Sequence, residues 1–397
     1  MRNRLIIIYF SGDWWDERWR RRQQLACRLA QLEEVKQVIY IELPFSLMSL
    51  VKYPIDKNAR RSWGRVLKSG FSWRYNDKVQ VTTPMSVWPL FRLNKLSGLN
   101  ALLCRRFTEF LIRRHLTDQD ICILWLGHPL VADYIGRFGE VLICYDHTEN
   151  FSEYRPYSPK LRKRAGELNE RITRKADLIF VQTEAQLIEK QRINPNTYLV
   201  PNAVDLALFS NFSTFIPPDI KAIKKPILGY IGSMSYRLDL QLLTRLATQH
   251  LEWSLVLIGQ PDSKSLRLLG RYQNVHFLGE KPYNVLPGYL TWFDVSLIPY
   301  CVDDLTYNNP LKLFDYLAIG KPIVSTAIPG VKGFEELITI AGNQDEFIGQ
   351  VEWVLKNDDP DMVERRKEAA KLHTWDARIE QVWQLIQKQL SKKRTLP

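Results

Sequence analysis

Short, wholly apolar runs recur along this chain and alternate with stretches whose leucines fall every three or four residues. Leu5 to Phe10 is the first such run. A helical stretch follows from about Arg20 to Leu32, with Leu25, Leu29 and Leu32 on one face, and then a strand at Gln37 to Leu43. Strand, helix, strand is how a parallel α/β sheet opens. The stretch from Pro44 to Pro89 is aromatic and basic without periodicity and reads as irregular. Beyond it the pattern predicts a helix over Leu99–His115, a strand over Ile121–Leu126, a helix over Pro129–Phe138 and a strand over Glu140–Tyr145. The loop DHTENFSEY comes next, then a charged helix near Pro159–Lys175, a strand over Asp177–Val181, a helix near Glu184–Gln191 and a strand over Thr197–Val200.

A segment with three prolines and no periodicity, SNFSTFIPPDIKAIKKP, then interrupts the series as a linker does. A second alternating series starts at Pro226. It predicts helices over Leu238–Thr248, Ser263–Leu269 and Val285–Trp292, and strands over Ser254–Ile258 and Val275–Phe277. Two final helices are expected over Asp345–Lys356 and Asp361–Gln389. The division this implies is a first domain over 1–205, a linker over 206–225, a second domain over 226–372 and a terminal helix within 373–397.

The stretch from Val295 to Pro329 is the most informative. A buried strand (Val295 to Tyr300) runs into a polar loop, a short helix opens at Asn309 and Pro310, and a second strand (Pro322 to Thr326) follows. Proline suits the first helical turn and Gly320 suits the position just past the end, so the helix should span about Pro310 to Ile319. Its first turn offers free N–H groups and a positive dipole end, with Lys312 nearby, which makes an anion site. One turn on, Asp315 supplies the carboxylate that commonly accepts from a ribose hydroxyl.

Composition narrows the setting. A chain of 397 residues with 45% apolar and 12% aromatic residues can bury two or three cores. Five scattered cysteines with no CxxC pair argue against a disulfide framework or a zinc site and fit a reducing compartment. The apolar run at the amino end is shorter than the roughly 7 to 15 residues of a signal core, and no run approaches the roughly 18 of a membrane span. A cytoplasmic protein is expected. Its net charge of +12 is uneven: Met1–Asp205 holds 33 Lys+Arg and 22 Asp+Glu, a net of +11, against +1 for the remainder. Such a field serves solubility, an anionic membrane surface, a nucleic acid or a phosphorylated acceptor. Trp14, Trp15, Trp19, Trp63, Trp73 and Trp88 accompany the arginines, which favours peripheral contact with the inner face of a membrane over nucleic acid.

Other candidates sit at strand ends. In GYIGSMSYR, Gly232 and Ser233 follow an apolar strand where a missing side chain lets backbone approach a phosphate; a plain turn is the competing reading. Asp146, His147 and Glu149 fall in the loop after a parallel strand, where open α/β sheets place ligands. Each could take a proton from an incoming hydroxyl, or could cap and pack. Asp13 with Trp14, and His128 with Pro129, occupy two more strand-end loops.

NPLKLFDYLAIGKPIVST resembles the donor-site segment of GT-B glycosyltransferases of the family 4 type, especially those of bacterial cell-surface polysaccharide and teichuronic acid synthesis. RWRRRQQLACRLA, LICYDHTENFSEY, ADLIFVQTEAQL, YLVPNAVDLALF, GYIGSMSYRLDL, LVLIGQ and HFLGEKPYNVLPGYL match the same family in its order. The resemblance implies two Rossmann-like doubly wound domains facing a cleft, the last helix crossing back to the first domain, and transfer of a sugar from a nucleotide diphosphate, UDP-linked, with neither cofactor nor metal. It implies donor contacts from Gly232, Ser233, Gln260, Leu278, Gly279, Lys281, Asn308, Asn309, Pro310, Leu311, Lys312 and Asp315. Arg237 is the cation after the glycine turn, with a surface pair to Asp239 as the plain alternative. Many relatives carry an acidic pair eight positions apart; here Tyr307 precedes Asp315, with Asn308 and Asn309 as neutral substitutes. The Asp146–Glu149 loop becomes the acceptor wall, with Asp13, Trp14 and His128 beside it, for a glycan or lipid-linked glycan. A nucleotide-sugar epimerase of the same fold, or a binding protein without chemistry, are the alternatives.

Overall fold

The computed structural model describes residues 4–15, 19–52, 57–87, 97–210, 216–302 and 309–394. They form two compact units: residues 1–16, 22–200 and 379–397, and residues 17–21 and 201–378. The described residues of the segment 206–225, a linker by its sequence, belong to the second unit.

The first unit contains β1 (Leu5–Phe10), α1 (Arg21–Gln31), β2 (Val35–Ile41), β3 (Phe45–Ser46), α2 (Lys57–Ser69), β4 (Ser72–Asn76), β5 (Val79–Thr82), β6 (Met85–Ser86), α3 (Ser97–Arg113), β7 (Ile121–Leu126), β8 (Leu142–His147), α4 (Pro159–Lys175), β9 (Leu178–Val181), α5 (Glu184–Gln191) and β10 (Thr197–Leu199). Eight strands make one sheet in the order β10-β9-β8-β7-β1-β2-β5-β4. Only β4 runs antiparallel to its neighbour. All six residues of β1 are buried, as a strand with both faces covered requires. Helix α4 buries Leu161, Ala165, Leu168 and Ile172 at helical spacing, and Ser158 caps it by accepting from the Leu161 N–H. A reciprocal Thr183–Gln186 box opens α5.

The second unit contains α6 (Leu206–Ser210), α7 (Pro218–Lys221), β11 (Ile227–Ile231), α8 (Leu240–Gln249), β12 (Ser254–Ile258), α9 (Ser263–Leu269), β13 (Val275–Gly279), α10 (Leu286–Leu290), β14 (Val295–Ile298), α11 (Leu311–Ile319), β15 (Ile323–Thr326), β16 (Thr339–Ala341), α12 (Gln344–Asn357) and α13 (Pro360–Lys371). Helix α14 (Trp375–Arg394) starts here and from Ile379 onward belongs to the first unit. There Gln381 donates to the Leu199 carbonyl at 3.0 Å, and Lys393 pairs with Asp177 at 2.7 Å. The sheet is wholly parallel, in the order β13-β12-β11-β14-β15-β16. Its core is one cluster running from Val204 to Ala370.

The structure departs from the sequence pattern in several places. The described residues of the stretch from Pro44 to Pro89 carry α2 and four strands. Their order comes from long-range ring contacts that leave no period: Phe45 to Trp63 at 5.1 Å and Phe71 to Phe107 at 5.0 Å. The expected helix over 129–138 is a 3-10 helix, Pro129–Tyr134. The one expected over 285–292 is a 3-10 turn followed by the short α10. The last expected helix is broken between α13 and α14, because Val204 pairs with the break as a bridge: its N–H donates to His373 O at 2.9 Å and it accepts from Trp375 N–H at 3.1 Å.

Candidate functional site

The second sheet reverses its direction of growth between β11 and β14, and open α/β sheets bind ligands outside the carboxyl ends at such a reversal. Gly232 follows β11, Tyr300 follows β14, and α11 brings Lys312 to both. A β-carbon on Gly232 would lie 2.9 Å from the Tyr230 hydroxyl and 3.1 Å from Lys312 Nζ. With φ at +147°, only glycine fits this turn without strain. The turn after β12 closes on it: a β-carbon on Gly259 would fall 2.0 Å from the Gly232 carbonyl oxygen.

Lys312 is buried, donates to the Tyr300 hydroxyl, and lies 4.8 and 4.5 Å from the ring centroids of Tyr230 and Tyr300. Ring faces and a phenol are its shell, which stabilises an ammonium by about 1 to 2 kcal/mol per cation–π contact when desolvated. Burial alone would raise the Tyr300 phenol, but the Lys312 charge and hydrogen bond outweigh it and hold the phenol below its ordinary value. Helix α11 runs Leu311–Ile319 and ends at Gly320, φ +82°, as its flanking residues require. Pro310 stands at its cap with no capping side chain among the described residues, and the Leu313 N–H turns back to the Pro310 carbonyl at 3.1 Å, which leaves the amides of Leu311 and Lys312 at the helix start. Glycine turn, buried ammonium and uncapped helix start make a seat for an anion.

Asp315, one turn on, is buried and accepts from the Tyr283 hydroxyl at 2.9 Å. Burial pushes its carboxyl up to about 7, against the pull of Tyr283 and Lys312, and Asp205 adds to the rise. Lys281 is engaged within the unit: it pairs with Asp219 at 2.7 Å and lies 5.3 Å from the Tyr289 ring centre. Leu278 and Gly279 end β13 half-buried, and Gln260 is exposed, its carbonyl taking the Met234 N–H at 3.1 Å. Ser233 is exposed and its carbonyl accepts from Tyr230 at 3.0 Å. Arg237 is half-buried and acts electrostatically on Tyr230 and Tyr300. Asp239, its alternative partner, caps α8 through the Gln241 and Leu242 N–H groups. The Asn309 side chain accepts from the Asn202 N–H at 2.8 Å. Asn308 and Tyr307 lie outside the described residues. The opposite, amino edge of this sheet carries an open groove of about 520 Å³ in which Lys225 pairs with Asp294; the anion seat is at the carboxyl edge.

The first sheet reverses between β1 and β7, and the loops after these strands touch. Gly12 is so close to His128 that a β-carbon there would sit 2.8 Å from the histidine's own. Arg22, from the first turn of α1, pairs with Asp13 at 2.7 Å and donates to the Gly127 carbonyl at 3.0 Å and Thr148 Oγ1 at 3.4 Å. His128 is buried, and its Nδ1 accepts from the Leu130 N–H at 3.1 Å, so the neutral ring carries its proton on Nε2, 2.9 Å from the Tyr157 hydroxyl. Burial, with Arg22 adding to it, pushes His128 down to about 3. Trp14 is half-buried, its carbonyl accepting from Gln23 at 3.2 Å.

Asp146 and His147 do not begin a loop. They close β8, because the pairing with β9 continues through Asp146 to Phe180 and His147 to Val181. Both are buried. His147 contacts the Tyr145 hydroxyl at 3.1 Å and is held well below its ordinary range by burial and Lys190. Both histidines are therefore weak bases. Glu149 is the loop carboxylate, half-buried and within the field of Arg22. Sequence reasoning had passed over Arg22, Tyr157, Tyr230, Tyr283 and Tyr300. A tyrosine two residues before the glycine turn, and another ending the partner strand, were the available signals.

Residues 225–357 match the family model described as glycosyl transferases group 1. A Bacillus subtilis (strain 168) protein described as a teichuronic acid biosynthesis glycosyltransferase, TuaH, is 24% identical over 95% of each chain. Sucrose-phosphate synthase from Thermosynechococcus elongatus superposes with a TM-score of 0.72 at 16% identity, over 98% of this chain and 99% of that one. Anabaena HepE, solved with UDP and glucose, does so at 0.63 and 12%, over 97% and 99%. Over residues 225–357 this chain carries a glycosyltransferase domain. Its α/β architecture with parallel sheets is the GT-B fold of those enzymes, and the anion seat lies inside the matched segment of the glycosyltransferase. Among the described residues no helix is long and apolar enough to cross a membrane.

Proposed function

We propose that this glycosyltransferase moves a sugar from a UDP-linked donor to a hydroxyl of a lipid-linked or growing cell-surface polysaccharide at the inner face of the plasma membrane. The observation that carries the donor half is Lys312, buried between Tyr230 and Tyr300 and beside Gly232 at the uncapped start of α11. A diphosphate bound there meets an ammonium, backbone amides and a helix dipole. These neutralise the charge that develops on UDP as the bond to the sugar breaks, so the reading needs no metal. UDP is favoured because HepE was solved with it. The polysaccharide acceptor is favoured by the description of TuaH.

Glu149 is the leading base: it takes the acceptor hydroxyl's proton as that oxygen bonds to the anomeric carbon. Asp146 is the second carboxylate, fully buried at the end of β8. His128 and His147, kept neutral, hold and orient rather than accept the proton. Asp13, through Arg22, fixes the acceptor-side loops.

Incubation with radiolabelled UDP-sugars and a membrane extract tests this. Label entering the lipid phase supports transfer. A changed free sugar nucleotide points to an epimerase, and binding without turnover to a protein that keeps the grip without chemistry.

A further inference from the structure

Helix α3 is apolar on two faces. One packs inward through Cys104, Leu111 and Ile112. The other stays in solvent: Leu99, Leu102, Leu103 and Phe110 recur at three- and four-residue spacing, with exposures of 55%, 39%, 48% and 57%. Arg106 continues that stripe with its side chain 71% exposed, and Arg114 lies over the Phe110 ring at 5.6 Å. Beside it, the 3-10 turn Leu47–Lys52 exposes Leu47, Met48, Leu50 and Val51, the last at 74%.

These elements are tied together. Met48 N–H donates to the Val87 carbonyl at 3.2 Å, and Val87 N–H to Asn100 Oδ1 at 2.9 Å, joining the turn to the start of α3. Trp63 of α2 donates to Ser49 at 3.0 Å. The sequence of α2 has five basic residues and no acidic one. The single acid of α3, Glu109, is shared by Arg105, Arg106 and Arg137 at 3.8 to 4.0 Å. Helix α3 leads into the amino end of β7, so its first turns, with Leu99, Leu102 and Leu103, lie toward the carboxyl edge of the sheet, the edge that carries the His128 loop.

We infer that the turn Leu47–Lys52 and the outward stripe of α3 form a surface that seats in the headgroup layer of an anionic bilayer. Apolar side chains rimmed by surplus cations match that layer in both hydrophobicity and sign. The inference rests on the membrane half of the function proposed above, and deepens it by naming the residues. It orients the first unit so that a lipid-linked acceptor arrives at the edge bearing Glu149.

Sedimentation of the full chain with vesicles tests it without donor or acceptor. The protein should pellet with phosphatidylcholine vesicles containing phosphatidylglycerol and stay in solution with phosphatidylcholine alone. Leu102→Ser with Leu103→Ser should weaken partition about tenfold or more, and Arg106→Glu about fivefold or more at low salt. Leu251→Ser with Leu372→Ser, two exposed leucines of the second unit, should leave it unchanged. Calorimetric UDP binding on the same samples reads the donor grip separately, so a failed transferase reading and a failed membrane surface are told apart. If the double serine variant melts early, Arg106→Glu decides. Wild-type binding indifferent to phosphatidylglycerol, or variants that bind as wild type, overturn the inference. So does a wild-type dimer in ultracentrifugation that the serine variant dissociates, which would assign the face to a second copy.

Discussion

The carboxyl edges of the two sheets hold the same ingredients in different states. Each has a glycine turn at the point of reversal and a largely buried cation. In the first unit Arg22 is already matched by Asp13 at 2.7 Å. In the second, Lys312 has no carboxylate within ion-pair distance among the described residues and rests on two tyrosine rings. A cation paired in advance holds loops together; one kept against ring faces, at a helix start, suits the anion-binding role proposed above. The titratable groups divide likewise, with neutral buried histidines in the first unit and a buried carboxyl near neutrality in the second.

That contrast can be broken from either side. The largest effect is expected from Glu149→Gln, which should lower turnover by roughly 10²- to 10⁴-fold while UDP affinity stays as it was; full activity would clear that loop of the base, and an active Asp146→Asn would clear the strand end too. Lys312→Met should cost about 10- to 100-fold in UDP affinity, the range of a charge-assisted contact. Unchanged calorimetric binding would remove it from the grip. Arg22→Met sharpens the pair, since it should leave UDP affinity alone and lower turnover.

The pH dependence should run in opposite directions. Asp315 is raised from 3.8 to about 7, so its folded form binds the extra proton, and its contribution is present below about 4 and lost as pH rises through 7. His128 is lowered from 6.5 to about 3, so its contribution is present above 6.5 and lost as pH falls toward 3. Hydrogen exchange of β14 amides against β7 amides reads the two units apart, and Asp315→Asn should flatten only the β14 dependence. Smallest is Tyr300→Phe, which removes one hydrogen bond to Lys312 and should weaken UDP about fivefold; no change would leave the ring face as the whole of its role.

Much of this was readable in the chain. The bounds of α11 were legible because Pro310 and Gly320 act through their own backbone restrictions. The order within Pro44–Pro89 was not, because rings distant in sequence create it. His147 and Asp146 looked like loop residues because polarity usually marks a loop, whereas pairing with β9 extended the strand over them. That the Lys281 side chain would pair with Asp219 was not legible either, because α7 brings that carboxylate from 62 residues away.

By itself the sequence determined the alternation of strand and helix, the glycine turns and the helix that starts beside Lys312, since these follow from local sterics and periodicity. Only the tertiary structure decided which strands are neighbours, and therefore where each sheet reverses. It also decided that Lys312 faces two phenols, that Asp315 is bonded to Tyr283, and that an apolar stripe of α3 stays in solvent. Burial and pairing belong to contacts between distant residues, and a charge's behaviour depends on what those contacts put beside it.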